Sequence, residues 1–239
     1  SVMEVHIGMF HPNANRVILT FEKRVQGAEV TKLKADERDD LKMWARIHVR
    51  GGYEEADEIE EILFELTEDF ETPMSERDRR IEVRNALIGA AQALVDEQDS
   101  WPVLTDYDRL ELAMDTLEDN GVVARANFTC CGNCGAAEIG AEIEDYEALG
   151  QVARGYVFFH QQDTESAVEG HGLYFSYGAA HSEHDAAHIA IAQELFDLLV
   201  AVGLKPHWDG KIDHRVGVVL DWKRRWVDGV PTPLKRWSF

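Results

Sequence analysis

The sequence lacks an apolar run of the roughly 18 to 20 residues that a membrane-spanning helix needs. Its N-terminus also lacks a basic segment followed by an apolar one, which a secretion signal would have. Basic residues are scarce: 24 Lys and Arg stand against 45 Asp and Glu, for a formal net charge of -21. Such a charge repels phosphate backbones and anionic lipid. We therefore expect a cytoplasmic protein that binds neither nucleic acid nor membrane.

Cysteine, glycine and proline are also limited. The three cysteines, Cys130, Cys131 and Cys134, lie within five positions, and an odd, clustered set does not form a secreted disulfide framework. We expect reduced thiols. With 18 Gly, 6 Pro and 45% hydrophobic residues in 239, the chain is globular and long enough for one large domain or two small ones. The phosphate-loop, dinucleotide, nucleophile-elbow and zinc-protease motifs are all absent.

The first hundred residues combine a predicted hairpin with helices. Two β-like runs at 5–10 and 17–21 flank a turn-forming segment, which predicts a hairpin within residues 2–33. Apolar residues at helical spacing then predict two helices joined at Gly51 and Gly52, and a third over 75–98. We assign residues 1–100 to this N-terminal part.

Residues 101–239 alternate between strand and helix patterns. Thr105 and Asp108 form a capping box for a helix reaching residue 118. The next six elements are β-α-β-β-α-β, which is the ferredoxin-like arrangement. Their predicted ranges are 122–128, 136–149, 156–160, 173–177, 185–202 and 205–208. A further strand over 216–222 is expected at the sheet edge. The protein is thus predicted to be α+β, with two contiguous domains or one continuous domain.

The strongest chemical signal is the cysteine loop. Cys131 and Cys134 have the C-x-x-C spacing that lets two thiolates bind one soft ion, and the helix that follows lowers thiol pKa values. In a ferredoxin-like sheet the first two strands are parallel, separated by the third, and end at the same edge. This would bring His160, after the second strand, to the cysteines. Cys130, His160 or His171 could then complete a tetrahedral site.

The same loops allow other readings. Asp163 and Glu165 could orient the imidazole, accept a proton from metal-bound water, or work with His160 as acid–base groups without a metal. The cysteines could also carry out redox chemistry, over which the third thiol and the histidine favour metal binding, or be free thiols packed as small apolar groups.

Two other clusters are weaker candidates. His181, His184 and His188 could share one helical face and bind a metal, although exposed histidines at this spacing are often unoccupied. Tryptophans and cations interleave at residues 222–226 and 235–237, a pattern that can stack on single-stranded nucleic acid. Here, pairing of those cations with the protein's own acids is the favoured interpretation.

Several strings together resemble a bacterial family of unknown function, domain of unknown function 6891, over roughly residues 40–225. The strings are WP, TDYDRL, FTCCGNCG, GYVFFHQQDTE and DWKRR. The resemblance implies no activity, but it links the cysteine loop to the His160 loop. The cysteine loop also resembles that of heavy-metal-associated domains, which place C-x-x-C after the first strand of the predicted topology, although Cys130 departs from their pattern.

The leading hypothesis is a soft-metal site, with Zn²⁺ as the expected ion, formed by Cys130, Cys131, Cys134 and His160. Whether such a site would be catalytic or structural is left open. The alternative is an acidic interaction module, such as an inhibitor, immunity or regulatory protein, that binds a basic partner without catalysis.

Overall fold

A computed structural model describes residues 32–234 of the chain. These residues form seven α-helices, a short 3₁₀ helix at Thr67–Asp69 and five strands. In chain order the elements are α1 (Ala35–Gly51), α2 (Ala56–Leu66), α3 (Glu76–Gln98), α4 (Asp106–Asp119), β1 (Val122–Arg125), α5 (Gly132–Ala148), β2 (Gly155–Phe158), α6 (Gln161–Val168), β3 (Leu173–Ala179), α7 (Asp185–Ala201), β4 (Pro206–His207) and β5 (Val216–Val218). Within this range, no helix combines the length and the apolar composition needed to cross a bilayer.

The mixed helix and strand content confirms the predicted α+β class. The N-terminal hairpin predicted within residues 2–33 falls almost wholly outside the described residues. All described residues belong to one compact unit, Thr31–Phe239. The division of the chain at residue 100 stays a prediction.

Helices α1, α2 and α3 share one hydrophobic core. Their buried side chains recur three or four residues apart, as the sequence pattern predicts, and include Leu41, Ala45, Ile59, Leu63, Leu87 and Ala91. The Ser75 hydroxyl begins α3 by accepting the Asp78 N–H at 3.1 Å. Trp226, which follows the last strand, is buried in the same core. The helical layer is therefore completed by residues from the far end of the described chain.

The five strands form one mixed sheet in the order β1-β2-β3-β5-β4. β1 pairs with β2 in parallel, from Val122 opposite Gly155 to Arg125 opposite Phe158, and the other three pairs are antiparallel. Side chains alternate between two cores, as a pleated strand requires. Helices α4 and α7 cover one face, and α5 covers the other face over β1 and β2.

The strand order differs from the ferredoxin-like prediction. β1 and β2 are direct neighbours, and no strand lies between them. The helix α5 makes the crossover connection that two parallel neighbours require. β2 is held against β3 on its other side by two glycines. A Cβ at Gly155 would lie 2.5 Å from the Gly178 carbonyl oxygen, and a Cβ at Gly178 would lie 2.6 Å from the Tyr156 ring. These close approaches let β2 and β3 lie side by side, whereas the departure from the ferredoxin-like order is the direct pairing of β1 with β2.

Two further corrections concern the C-terminal half. A short helix, α6, lies between the second and third strands, over a segment for which no helix was predicted. The extra strand is also not at the edge: β5 pairs with β3 on one side and β4 on the other, and two-residue β4 is the edge strand. Gly217 in β5 leaves room for the rings of His207 and Tyr174, which a Cβ would approach within 3 Å. All three β5 residues are buried accordingly.

Candidate metal centre

The three cysteines lie in the connection from β1 to α5, at the carboxyl end of β1. Backbone hydrogen bonds join this connection to the end of β2: the Phe128 N–H donates to the Phe159 carbonyl at 2.8 Å, and the Gln161 N–H donates to the Thr129 carbonyl at 3.1 Å. The two loops that sequence analysis placed together therefore do meet. They meet because β1 and β2 are adjacent parallel strands, and not through the predicted intervening strand.

The backbone of the cysteine loop is unusual. Asn127 and Thr129 have φ values of 52° and 58°, in the left-handed region that non-glycine residues rarely adopt, and Thr129 is also β-branched. Both residues are fixed by hydrogen bonds. The Thr164 hydroxyl donates to Asn127 Oδ1 at 2.7 Å, and the Thr129 hydroxyl donates to the Cys131 carbonyl at 3.1 Å. Contacts from α6 and within the loop thus hold a conformation that costs local backbone energy.

Helix α5 begins earlier than predicted and includes a cysteine in its first turn. Cys131 is the N-cap residue, and its carbonyl accepts the Gly135 N–H at 3.0 Å. Gly135 serves packing and not loop flexibility, since a Cβ there would lie 2.5 Å from Phe158 Cε2. The missing side chain lets the first turn of α5, and Cys134 with it, press against the sheet.

The sulfurs of Cys130, Cys131 and Cys134 all lie within 4.8 Å of one another. The Cys130 and Cys134 sulfurs are 3.4 Å apart, and the three residues are free cysteines. Cys130 is exposed and the other two are half-buried. They are accessible, and are not sealed in apolar packing. Among the described residues, they form the one group of three or more His, Cys, Asp and Glu side chains with ligand atoms this close together.

The environment of the thiols favours one thiolate and disfavours several. The backbone N–H of Cys134 is the main group that lowers the pKa of Cys131, and the Cys134 thiol and the Asn133 N–H act in the same direction. The neighbouring sulfurs of Cys130 and Cys131 raise the pKa of Cys134 to about 12. Three negative sulfurs at these separations repel one another, so full ionisation of the cluster requires a cation.

His160 lies beside the cysteine loop but outside the sulfur group. A Cβ at Gly132 would lie 3.5 Å from its Nε2 atom. The Asp163 backbone N–H donates to the imidazole Nδ1 atom at 3.3 Å, and the Asp163 carboxylate lies close to the ring, 3.1 Å from Nε2. Burial lowers the pKa of His160, and the Arg215 guanidinium lowers it further against the opposing effect of Asp163. The ring is therefore a neutral N-cap of α6 with its proton on Nε2.

Asp163 and Glu165 occupy different surroundings. Asp163 is buried, and Arg215 binds both of its oxygens, at 2.9 Å and 2.6 Å. Burial is the main cause that raises the pKa of Glu165, and Glu169 and Glu54 add to it. Asp163 thus stabilises the start of α6, while Glu165 lies among charged groups of α1 and α6.

The fold and the site can now be compared with known proteins. The model of a protein family described as domain of unknown function 6891 matches residues 34–226 of the chain. The chain belongs to this family. No curated protein and no solved structure matches it. The matched range confirms the resemblance drawn from the cysteine and His160 strings, and membership assigns no activity. The likeness to heavy-metal-associated domains is confined to the loop, because the strand order of this family member is not theirs.

The other histidines proposed as ligands do not gather into a metal site. His181 Nε2 lies 2.6 Å from Glu147 Oε1, and His188 Nδ1 accepts the Ala179 N–H at 3.0 Å. His184 is the exposed N-cap residue of α7, and His171 is exposed after α6. Within residues 32–234, none of them joins a group of potential metal ligands.

The described part of the Trp-rich C-terminal cluster is bound to the protein itself. Trp222 and Trp226 are buried in the two main cores. Arg225 holds both Asp108 oxygens at 3.0–3.1 Å, and the Arg224 guanidinium lies over the Tyr53 ring, 4.5 Å from its centroid. The favoured interpretation of this segment therefore agrees with its geometry.

Sequence reasoning missed Arg215 and the strained loop residues. Arg215 meets Asp163 across 52 positions, and no local pattern marks such a pair. Asn127 and Thr129 show no local signal either, because their conformation depends on contacts with α6 and not on glycine.

Proposed function

We propose that this family member binds a soft metal ion, Zn²⁺ first of all, through the sulfurs of Cys130, Cys131 and Cys134. The observation that carries the proposal is the mutual proximity of the three sulfurs, all within 4.8 Å. Two sulfurs bound to one tetrahedral Zn²⁺ lie roughly 3.8 Å apart when each Zn–S bond is about 2.3 Å. The cluster needs little rearrangement to reach that geometry.

The loop also supplies the electrostatics that thiolate ligation needs. The backbone N–H groups of Cys134 and Asn133, at the start of α5, lower the pKa of Cys131 and so stabilise its thiolate. The high pKa of Cys134 keeps this thiol protonated until a cation replaces its proton. Metal uptake should therefore release protons, and affinity should rise with pH.

His160 is not among the ligands in this proposal. Its Nδ1 lone pair accepts the Asp163 N–H, which leaves the ring proton on Nε2. Ligating an ion would require the ring to leave its capping position and uncover a buried Asp163–Arg215 pair. We expect three sulfurs to hold the ion and solvent to complete the coordination.

The main test is metal analysis of reduced protein purified without chelator. We expect one Zn²⁺ per chain, and after exchange to Co²⁺ the thiolate-to-cobalt charge-transfer absorption of sulfur ligation. Cys131→Ser and Cys134→Ser should each lower Zn²⁺ affinity by about tenfold or more, because each removes one ligand. A substoichiometric metal content that these substitutions leave unchanged would contradict the proposal, as would the absence of bound metal from protein in which all three thiols are free.

The role of His160 is tested with a variant that retains the cap. Asn is a good N-cap residue, so His160→Asn removes the imidazole while keeping a group for the Asp163 N–H. We expect Zn²⁺ affinity and the cobalt spectrum to stay within about twofold of the parent protein. A loss as large as that of Cys134→Ser would make His160 a ligand.

A further inference from the structure

A groove of about 550 Å³ runs between α1 and α3, on the helical layer and away from the cysteines. Its floor is apolar and includes Leu41, Val49, Ala90 and Leu94. Leu41, Val49 and Leu94 belong to the buried core of the layer, so the groove lies directly over that core, and its accessible apolar surface includes Ala90 and Ala93. A concave apolar surface of this kind can receive apolar side chains of a partner.

One side of the groove carries a row of cations. Arg38, Lys42, Arg46 and Arg50 are each four residues apart on α1, and all line the groove. Residues at this spacing lie on one face of a helix, so the row extends for about 18 Å at about 1.5 Å per residue. The row stands out because the whole chain has a net charge of -21.

Most of these cations are not neutralised by close carboxylates. Arg50 is paired with Glu97. Lys42 and Arg46 are half-exposed or more, and make only long contacts, 3.7 Å to Asp39 and 3.6 Å to Glu169. Arg38 donates to the backbone carbonyl of Leu33, which carries no charge. The central part of the row is therefore available to an external anion.

The opposite side of the groove is formed by small residues of α3. Gly89 and Ala93 are exposed, and a Cβ at Gly89 would have nothing within 4 Å. Glu82 is the one carboxylate among the lining residues and lies toward the start of α3. The small side chains at Gly89 and Ala93 let the backbone of another helix approach closely at that point.

We propose that this groove binds an amphipathic helix of an acidic partner protein. The apolar face of that helix would cover the floor, and carboxylates along one flank would meet Lys42, Arg46 and Arg38. A helix with acids on successive turns matches a row of cations spaced by one turn. A fatty-acid carboxylate would use one charge and leave the rest of the row without a partner. The proposal is independent of the metal site.

The test uses the full chain and a synthetic helical peptide. The probe is a capped peptide of about 16 residues, long enough to follow the row at about 1.5 Å per residue, with Leu on one face and Glu at every fourth position of the adjoining flank. Its matched control has Gln at every Glu. We expect the Glu peptide to bind with a salt-sensitive affinity and to shift backbone NMR signals of α1 and α3, and the Gln peptide to bind at least fivefold more weakly.

Two pairs of variants localise the binding. Lys42→Glu should weaken binding of the Glu peptide by about fivefold, whereas Lys205→Glu, the same change at an exposed lysine near β4, should leave it within twofold. Gly89→Leu should fill the groove and reduce binding more than tenfold, while Gly140→Leu on α5, where a Cβ also meets nothing within 4 Å, should have no effect.

The proposal is overturned if the Glu and Gln peptides bind alike, if the Glu peptide fails to bind at low ionic strength, or if Gly89→Leu leaves its binding unchanged. It is also overturned if decanoate shifts the groove signals and the Glu peptide does not, since the occupant would then be a small amphiphile.

Discussion

The backbone conformation of Asn127 and Thr129 fixes the path of the loop that carries the three cysteines. A left-handed conformation costs a non-glycine residue about 1–2 kcal/mol, and here it is held by contacts with residues of α6 and the loop itself. A loop fixed in this way positions its side chains before any ligand arrives, which reduces the ordering cost of binding. The same rigidity explains why the sulfurs of three cysteines that are close in the sequence can lie within 4.8 Å of one another.

Gly135 is the residue on which the placement of Cys134 depends most directly. We expect Gly135→Ala to lower the free energy of unfolding by about 1–3 kcal/mol, since the added methyl group would overlap the Phe158 ring. Gly140→Ala in the same helix is the matched control, and should raise stability by about 0.5–1 kcal/mol because its site is open. Urea denaturation measures both. Equal effects of the two substitutions would show that the contact with Phe158 is not limiting.

At the scale of elements, the helices with ordinary start signals could be predicted from sequence. α4 follows the predicted cap at Thr105, and Ser75, predicted as the first residue of α3, is its N-cap. α6 was missed because its N-cap is His160, a residue that is not normally read as a helix start. The His160 backbone N–H donates in return to the Asp163 carboxylate. This completes a capping box whose N-cap residue is, unusually, a histidine.

Strand order and most site contacts could not be predicted, because they depend on pairs far apart in the chain. The local pattern located the strands, but the direct pairing of β1 with β2 joins residues far apart in the chain, such as Val122 and Gly155, and has no local signal. Likewise, the cysteines could be found from their spacing, whereas the engagement of His160 by Asp163 and of Asp163 by Arg215 required the folded structure.

The ends of α1 and α3 are joined by a pair that should respond to acid. The Arg50 hydrogen bond and charge lower the pKa of Glu97, and the Trp101 N–H adds to the effect. A carboxyl with a lowered folded-state pKa stabilises the fold above its unfolded pKa of about 4.3 and loses that contribution as pH falls through the folded value. We expect Glu97→Gln to be less stable than the parent at pH 7, with the difference shrinking below about pH 4.

Chemical denaturation across pH 2–8 checks this expectation, with Glu68→Gln as the control at an exposed carboxylate of the 3₁₀ helix that makes no hydrogen bond within residues 32–234. A difference between Glu97→Gln and the parent that stays constant down to pH 2 would rule out the Arg50 pair as its source.

For the whole molecule, net charge and local charge point to different partners. The overall excess of acids led to the prediction of a basic partner, and that prediction is still untested. The α1 row shows that a strongly acidic chain can also present a basic strip over an apolar floor. Because exposed charges are screened over about 10 Å in moderate salt, the local pattern decides what binds at each surface.

The residues after β5 are needed by both main cores. We expect Trp226→Ala to lower the free energy of unfolding by about 3–5 kcal/mol, since the indole is buried among α1, α2 and α3. Val227→Ala is the adjacent control: Val227 is 87% exposed, and its truncation should change stability by less than about 0.5 kcal/mol. Thermal and urea unfolding of both variants test this. Similar small effects would mean that the helical core closes without the indole.

Trp222 and Trp226 are four residues apart and complete different cores, Trp222 that of the sheet and Trp226 that of the helices. During translation the helical layer emerges from the ribosome first, but its last buried side chain is synthesised only after every strand. A chain that is truncated or cleaved before residue 222 would lack both indoles, and the apolar side chains around them would be exposed in both cores. Native packing of the domain therefore requires that synthesis has passed residue 226.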